Sequence, residues 1–475
     1  MSESIKAALP ALRCSGRGWL QPGLETTIAA APGRLDVMGG IADYSGATVL
    51  EATIGDLAVV AVQRRADGQL RVRTTGQQVE RLVMPEVAIT LADFYHGASL
   101  KSYENVQSLF RSERRWAAYL LGAFFVLLAE GEMKCFPTGA DVLLRSTVPL
   151  GAGVASSAAI EVAAMRAIVD AYGAPVSGMR LASLCQIVEN RVAGAPCGIM
   201  DQVTCTLGKQ GALLELRCQP HDVLGWHAPP PGYTFIGLDS GVKHAVGGVR
   251  YPRVRCAAFM GKRIIQETLR LQGGDPDRAR YLANLSPIEL SAELGQLLPL
   301  RLKGSTFLDR WGNTDDPATT VSPDEMYPVR GATEHPIQEN ARVNQFGQLL
   351  GRAAAHDAGS AARAMRAAGR LMYGSHRSYT RKCGLGSTET DLLVSLVRSA
   401  GPEQGFFGAK ITGGGSGGTV AVLIQIDADG VPTERTQTAL DCVSKHFAAA
   451  VGRPPRIISG SLPGAAELAP LTVAW

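Results

Sequence analysis

The stretch at 149–161, PLGAGVASSAAIE, constrains this 475-residue chain more than any other. It follows a strand-like run at 140–148, ADVLLRSTV, and opens an apolar helical run at 160–172, so a strand, a glycine turn and a helix N-terminus are expected in succession. Gly151 and Gly153 permit backbone conformations and close approaches that side chains would block, and the N–H groups that follow lie at the positive end of the helix. Together these make a cradle for an anion. Ser156 and Ser157 stand where the helix begins, so one hydroxyl is expected to cap it while the other faces a metal held by phosphate oxygens. A glycine turn leading into an N-capped helix is the plain alternative for such a stretch taken alone. No GKS or GKT occurs, so the common P-loop is unsupported and another phosphate-binding architecture is required.

Composition narrows the ligand. With 46% hydrophobic residues the chain can bury a full core and form two domains, or one large fold with insertions. Lys and Arg number 47 against 43 Asp and Glu, without a basic block, which favours a small molecule over nucleic acid or membrane. The nine cysteines are odd in number and free of any CxxC pair, pointing to reduced thiols and a cytoplasmic location. The longest apolar run, 116–129, falls short of the ~20 residues of a membrane helix and reads as a buried helix.

Two further stretches stand out. A short strand at 26–30 delivers APGRLDVMGGIADYSG at 31–46, and strands at 406–411 and 419–426 flank a glycine loop at 413–418. Between them, alternating runs at 57–64 and 70–74 around Asp67 and Gly68 predict a hairpin. Helices are expected at 115–128, at 179–192, where Glu189 interrupts the apolar stripe, and at 254–271, 337–355, 361–375 and 388–400. AGAPCGIMDQ at 193–202 would place Asp201 on a turn, with strands at 212–218 and 233–239 beyond it. The Pro-, Asp- and Gly-rich region at 273–336, with one helical piece at 287–297, reads as an insertion or mobile lid. The expected division is 1–210 and 211–475.

These three stretches, in this order, resemble the motifs of the GHMP small-molecule kinases, named for galactokinase, homoserine kinase, mevalonate kinase and phosphomevalonate kinase. APGRLDVMGGIADYSG is similar to their first motif, PLGAGVASSAA to their phosphate loop and KITGGGSGG to their third. The resemblance runs from about 30 to about 422 and is weakest across 273–333. It implies an α+β fold of two domains, the N-terminal one like ribosomal protein S5 domain 2 and the C-terminal one ferredoxin-like, with the site between them. Within the family the sugar-kinase branch fits best. The runs GRLDVMGGIADYSG, VENRVAGAPCGIMDQ and DSGVKHAVGG resemble the kinase unit of plant-type arabinokinases, here expected without the large extension that precedes it there.

The resemblance implies ATP and Mg²⁺ as cofactors and a sugar as acceptor, with direct in-line transfer to the anomeric hydroxyl. Asp201 would be the catalytic carboxylate and Arg34 its partner, stabilising charge on the γ-phosphoryl group. Phosphate binding falls to Gly151, Ala152, Gly153, Val154, Ala155, Ser156 and Ser157, and Ser157 with Glu189 would hold the metal. Sugar contacts are implied at Asp36, Gly40, Asp43, Tyr44, Asp201, Tyr251 and Gly414. His244 is read as structural and Cys197 as a buried residue whose thiol does no chemistry. Where galactokinases carry Glu-His to engage a hydroxymethyl group, this chain has Gly40-Ile41, which suits L-arabinopyranose because that sugar lacks the group. The alternatives are a galactokinase or another anomeric kinase, a glucuronokinase, for which no cation is assignable near Gly40, and a catalytically inactive sugar and ATP sensor.

Overall fold

The computed structural model describes residues 3–76, 84–242, 250–354 and 358–475. A mixed sheet of eight strands carries the first motif. Strands β1 (Glu25–Met38), β2 (Thr48–Arg64), β3 (Gln69–Thr75), β4 (Glu86–Thr90) and β5 (Ala140–Ser146) lie in the order β1-β2-β5-β3-β4, and the C-terminal strand Leu471–Ala474 adds outside β1. Strands β6 (Leu213–Arg217) and β7 (Asp222–His227) extend the sheet from the early part of β2.

The hairpin expected around Asp67 and Gly68 does not form. Strand β5 inserts between the two runs, antiparallel to β2 and parallel to β3. The reason is electrostatic as well as topological: Arg65 and Arg71, one from each side of the turn, both clamp the buried carboxylate of Asp141 on β5 at 2.6–3.0 Å. A buried charge left without these partners would cost several kcal/mol.

Helix α1 (Glu3–Ser15) leads into this sheet, and α2 (Ala118–Ala129), α3 (Ser156–Tyr172), α4 (Gly178–Ile187) and α5 (Met200–Leu207) follow in the same half. Helix α2, AYLLGAFFVLLA, is apolar on every face and accordingly buried nearly throughout. The helix expected over 179–192 changes pitch: α4 gives way to a π-turn at Val188–Val192 that holds Glu189. Such turns recur where a helix must re-aim a functional side chain.

A second sheet of four antiparallel strands holds the third motif. Strands β8 (Tyr233–Asp239), β9 (Phe406–Ile411), β10 (Thr419–Gln425) and β11 (Arg456–Ile458) lie in the order β9-β10-β8-β11, the order expected of a ferredoxin-like half. Helices α6 (Arg250–Leu271), α7 (Val329–Ala354), α8 (Ala358–Ser378) and α9 (Thr388–Ala400) intervene between β8 and β9, and α10 (Glu434–Val451) between β10 and β11. The boundary drawn at 210/211 does not divide the two sheets, because β6, β7 and the C-terminal strand all pair into the first. Nor is the 273–328 region bare loop: Leu282, Leu290, Leu298, Phe307 and Tyr327 bury themselves in one apolar cluster with α6 and α7.

Candidate active site

The first motif runs further as a strand than its glycines suggest. Strand β1 continues to Met38, with register shifts against β2 between Pro32 and Arg34 and between Asp36 and Met38. Such irregularities bend a strand and re-aim its side chains. Arg34, on the far side of the first shift, sends its Nη1 to the Gly153 carbonyl at 2.7 Å and its Nε and Nη2 to one oxygen of Asp201 at 3.0 and 2.8 Å. Its Nε also lies 3.2 Å from Glu51, a fully buried carboxyl on β2 that the motifs did not indicate. Burial opposes charge on Arg34, yet Asp201 and Glu51 outweigh it and the guanidinium stays cationic. The Glu51 carboxyl is held well above the usual carboxylate range, by burial first and by Asp36 second.

Asp201 is the second residue of α5 rather than a turn residue. A carboxylate there is favoured by the helix dipole. Around it, Arg34, Asp43, Ser157, Glu189, Tyr251 and Gly414 line one cavity of about 140 Å³. Gly151, Gly153, Ala155 and Ser156 form its phosphate-loop side, whereas the side chains of Ala152 and Val154 are buried away from it. Neither serine caps α3. The N-cap is Ala155, held at φ 57°, and no side chain accepts from the first turn, so those N–H groups lack an intrahelical partner as an anion site needs. Gly413 closes the roof: a Cβ there would lie 2.7 Å from the Gly153 carbonyl and 3.3 Å from Arg34.

Glu189 receives hydrogen bonds from Ser157 and from Gln202, the latter at 2.6 Å. Burial, then the charge of Asp201, push its carboxyl up to about 7. Gln202 also reaches the buried Glu161 at 3.2 Å, whose second oxygen has no partner. Among the described residues no group of three or more His, Cys, Asp or Glu could hold an ion. The donor set nevertheless suits Mg²⁺ arriving with a nucleotide, because that ion takes one or two carboxylates and fills its shell with phosphate oxygens and water.

Three expected sugar contacts, Asp36, Gly40 and Tyr44, do not line this cavity. Asp36 is fully buried and its carboxylate accepts from Lys410 Nζ at 2.8 Å and from the Gly413 N–H at 3.2 Å, so it ties β1 to the glycine loop instead of facing the cavity. Gly40 lies behind the wall as well. A Cβ on it would sit 1.9 Å from Tyr379 Oη and 2.0 Å from Asp36 Oδ2, while its carbonyl faces His335 Nε2 at 3.2 Å. Ile41, at φ 51°, lines the cavity in that corner. Tyr44 lines a larger adjoining cavity, which Asp43 also borders. Asp43 is 3% exposed, and burial, then Asp201, push its carboxyl up to about 6 against the pull of Arg255. Arg255 is itself fixed by a two-pronged pair with Asp316 at 2.8–2.9 Å, so the inserted region holds the cation that faces Asp43.

Cys197 is partly exposed at the rim of both cavities, and burial holds its thiol well above its ordinary value, so it stays protonated. His244 lies outside the described residues, as does most of DSGVKHAVGG. Glu51, Glu161, Gln202, Arg255 and Tyr379 were missed by sequence reasoning. The one available signal was a carboxylate within an otherwise apolar strand, as in TVLEATI at 48–54.

Residues 118–209 match the family described as GHMP kinases N terminal domain. The L-arabinokinase of Arabidopsis thaliana is 38% identical over 500 residues, covering 94% of this chain and 47% of that protein, so the chain spans about half the length of this relative. A galactokinase of Streptomyces coelicolor is 29% identical over 430 residues, covering 90% of each. Among solved structures, Lactococcus lactis galactokinase complexed with galactose superposes with a TM-score of 0.72 at 17% identity, covering 99% of this chain and 100% of that one. A mevalonate kinase gives 0.52 at 14% identity. At these identities the structural likeness is one of fold.

Proposed function

We propose that this chain, which is similar to the GHMP kinases in sequence and fold, is an ATP-dependent kinase that phosphorylates the anomeric hydroxyl of a galactose-like sugar, with L-arabinose as the preferred acceptor. The observation that carries the acceptor choice is the corner at Gly40 and Ile41. Tyr379 and Asp36 occupy the space that a side chain at position 40 would need, and Ile41 presents only hydrocarbon to the cavity. A hydroxymethyl group placed there would lose its hydrogen bonds to water without replacement, at a cost of about 1–3 kcal/mol. The nearby cations offer nothing to a uronate, since Lys410 is committed to Asp36 and Arg255 to Asp316.

In the proposed reaction the ATP phosphates lie against the first turn of α3 and the phosphate loop. Asp201 accepts the proton of the anomeric hydroxyl as that oxygen attacks in line, and Arg34, held between Asp201 and the Gly153 carbonyl, offsets the charge that develops on the transferring group. Asp43 and Tyr251 orient the ring. Ser157 and Glu189 would hold Mg²⁺, which when bound neutralises phosphate charge. The intact Arg34–Asp201 pair separates this reading from an inactive sensor. The test is ADP release with L-arabinose, D-galactose, D-glucuronate and L-fucose. Release with L-arabinose foremost is expected, and none with any sugar would overturn the kinase assignment.

A further inference from the structure

Away from the active site, a cavity of about 630 Å³ opens between the start of α6, the 300–301 segment, the start of α7 and the turn that follows α8. Its lining holds Arg250, Arg253, Arg301, Arg330, Arg381 and Lys382 against one carboxylate, Glu334. The whole chain carries a formal charge of only +4, so the charge excess of this one lining exceeds that of the entire molecule. Neutral carbonyls hold two of these side chains in place. Arg253 donates to the Met326 carbonyl and Arg330, through Nε, to the Leu298 carbonyl at 2.8 Å. A carbonyl fixes a guanidinium without neutralising it. Lys382 pairs with Glu334, and Glu325 lies 3.9 Å from Arg253, but Arg250, Arg301 and Arg381 make no ion pair among the described residues.

Like charges confined to a concave wall repel one another, and a bound anion relieves that cost. We propose that this cavity is a second binding site, for a small phosphate polyanion. The volume falls in the range of small-molecule sites. Guanidinium forks match phosphate oxygens two at a time, which favours phosphate over carboxylate anions. A concave wall of this size admits a compact polyphosphate more readily than a folded acidic protein.

The position gives the site a consequence. Arg250 directly precedes Tyr251, which lines the active cavity, and Lys382, Cys383 and Gly384 lead to Leu385, whose carbonyl accepts the Ser416 N–H of the glycine loop at 2.5 Å. The inference does not depend on which sugar is phosphorylated, or on whether any is.

The test is calorimetric titration of the full chain with inorganic tripolyphosphate at fixed ionic strength, comparing wild type with Arg301→Ala/Arg381→Ala. Two binding events are expected in the wild type, one at the phosphate loop and one here, and the second should weaken about tenfold or more in the variant. A nucleoside triphosphate titrated in parallel distinguishes sources: equal affinity assigns the phosphate chain alone, tighter binding a nucleotide. If no event seen in the wild type, whether one or two, is weakened in the variant, the proposal is overturned; a single event that the variant weakens still assigns this cavity and leaves the phosphate loop without affinity for the probe. Should that pair fail to fold, Arg250→Ala with Arg301→Ala carries the same expectation.

Discussion

Arg34 lays two of its nitrogens, Nε and Nη2, on a single oxygen of Asp201, at 3.0 and 2.8 Å, while its third is spent on the Gly153 carbonyl. One side chain thereby joins the phosphate loop to the carboxylate that would deprotonate the acceptor. A point charge cannot make both connections. Arg34→Lys is therefore expected to lower kcat by about 10²-fold or more, and Asp201→Asn to do the same while sugar affinity by calorimetry stays within about a few-fold. Wild-type turnover in either variant would remove that residue from the mechanism.

Gly40 should tolerate no side chain. Gly40→Ala forces a methyl group into Tyr379 Oη and Asp36 Oδ2 and is expected to cost about 1–3 kcal/mol, read as a lower midpoint of chemical denaturation. Tyr379→Phe in the same chain removes one of the two opposing oxygens and should recover part of the loss. Full tolerance of Gly40→Ala would mean that the corner is open.

The proposed metal ligands predict a specific defect. Ser157→Ala and Glu189→Gln each remove a hard oxygen donor or its charge, so the Mg²⁺ concentration for half-maximal rate should rise in both. Unaltered Mg²⁺ dependence in the pair would reject the assignment.

Asp43 predicts a pH-dependent trade between stability and binding. Its carboxyl ionises at about 6 in the fold against 3.8 ordinarily. The raised value means that its contribution to stability is fully present below pH 3.8 and is lost as pH rises through about 6. Asp43→Asn should thus gain stability over wild type progressively across that window, by on the order of 2–3 kcal/mol at the top, and the gap should be flat above it. The same variant should bind sugar more weakly. A stability gap independent of pH would contradict the buried-charge account.

Local pattern carried the elements whose fate is decided locally. The strand Tyr233–Asp239, the helix Thr388–Ala400 and the hairpin around the third motif stand where alternation, helical periodicity and glycine placed them. What failed was partner choice. Nothing near Asp67 reveals that β5, some 70 residues on, will take the place of the nearest strand, and nothing near Asp36 reveals Lys410, 374 residues away. The site suffered likewise. Motif spacing marks Arg34, Asp201, Ser157 and Glu189, which the fold gathers on one cavity, whereas Glu51 and Tyr379 make contacts that exist only after folding.

The acceptor preference is the central claim, and the ratio of kcat/KM for L-arabinose to that for D-galactose tests it most directly. An unpaired hydroxymethyl hydroxyl against Ile41 predicts a ratio of roughly 5 to 150 in favour of L-arabinose. A ratio at or below unity would contradict it, and the Gly40–Ile41 corner would then have no part in choosing the substrate.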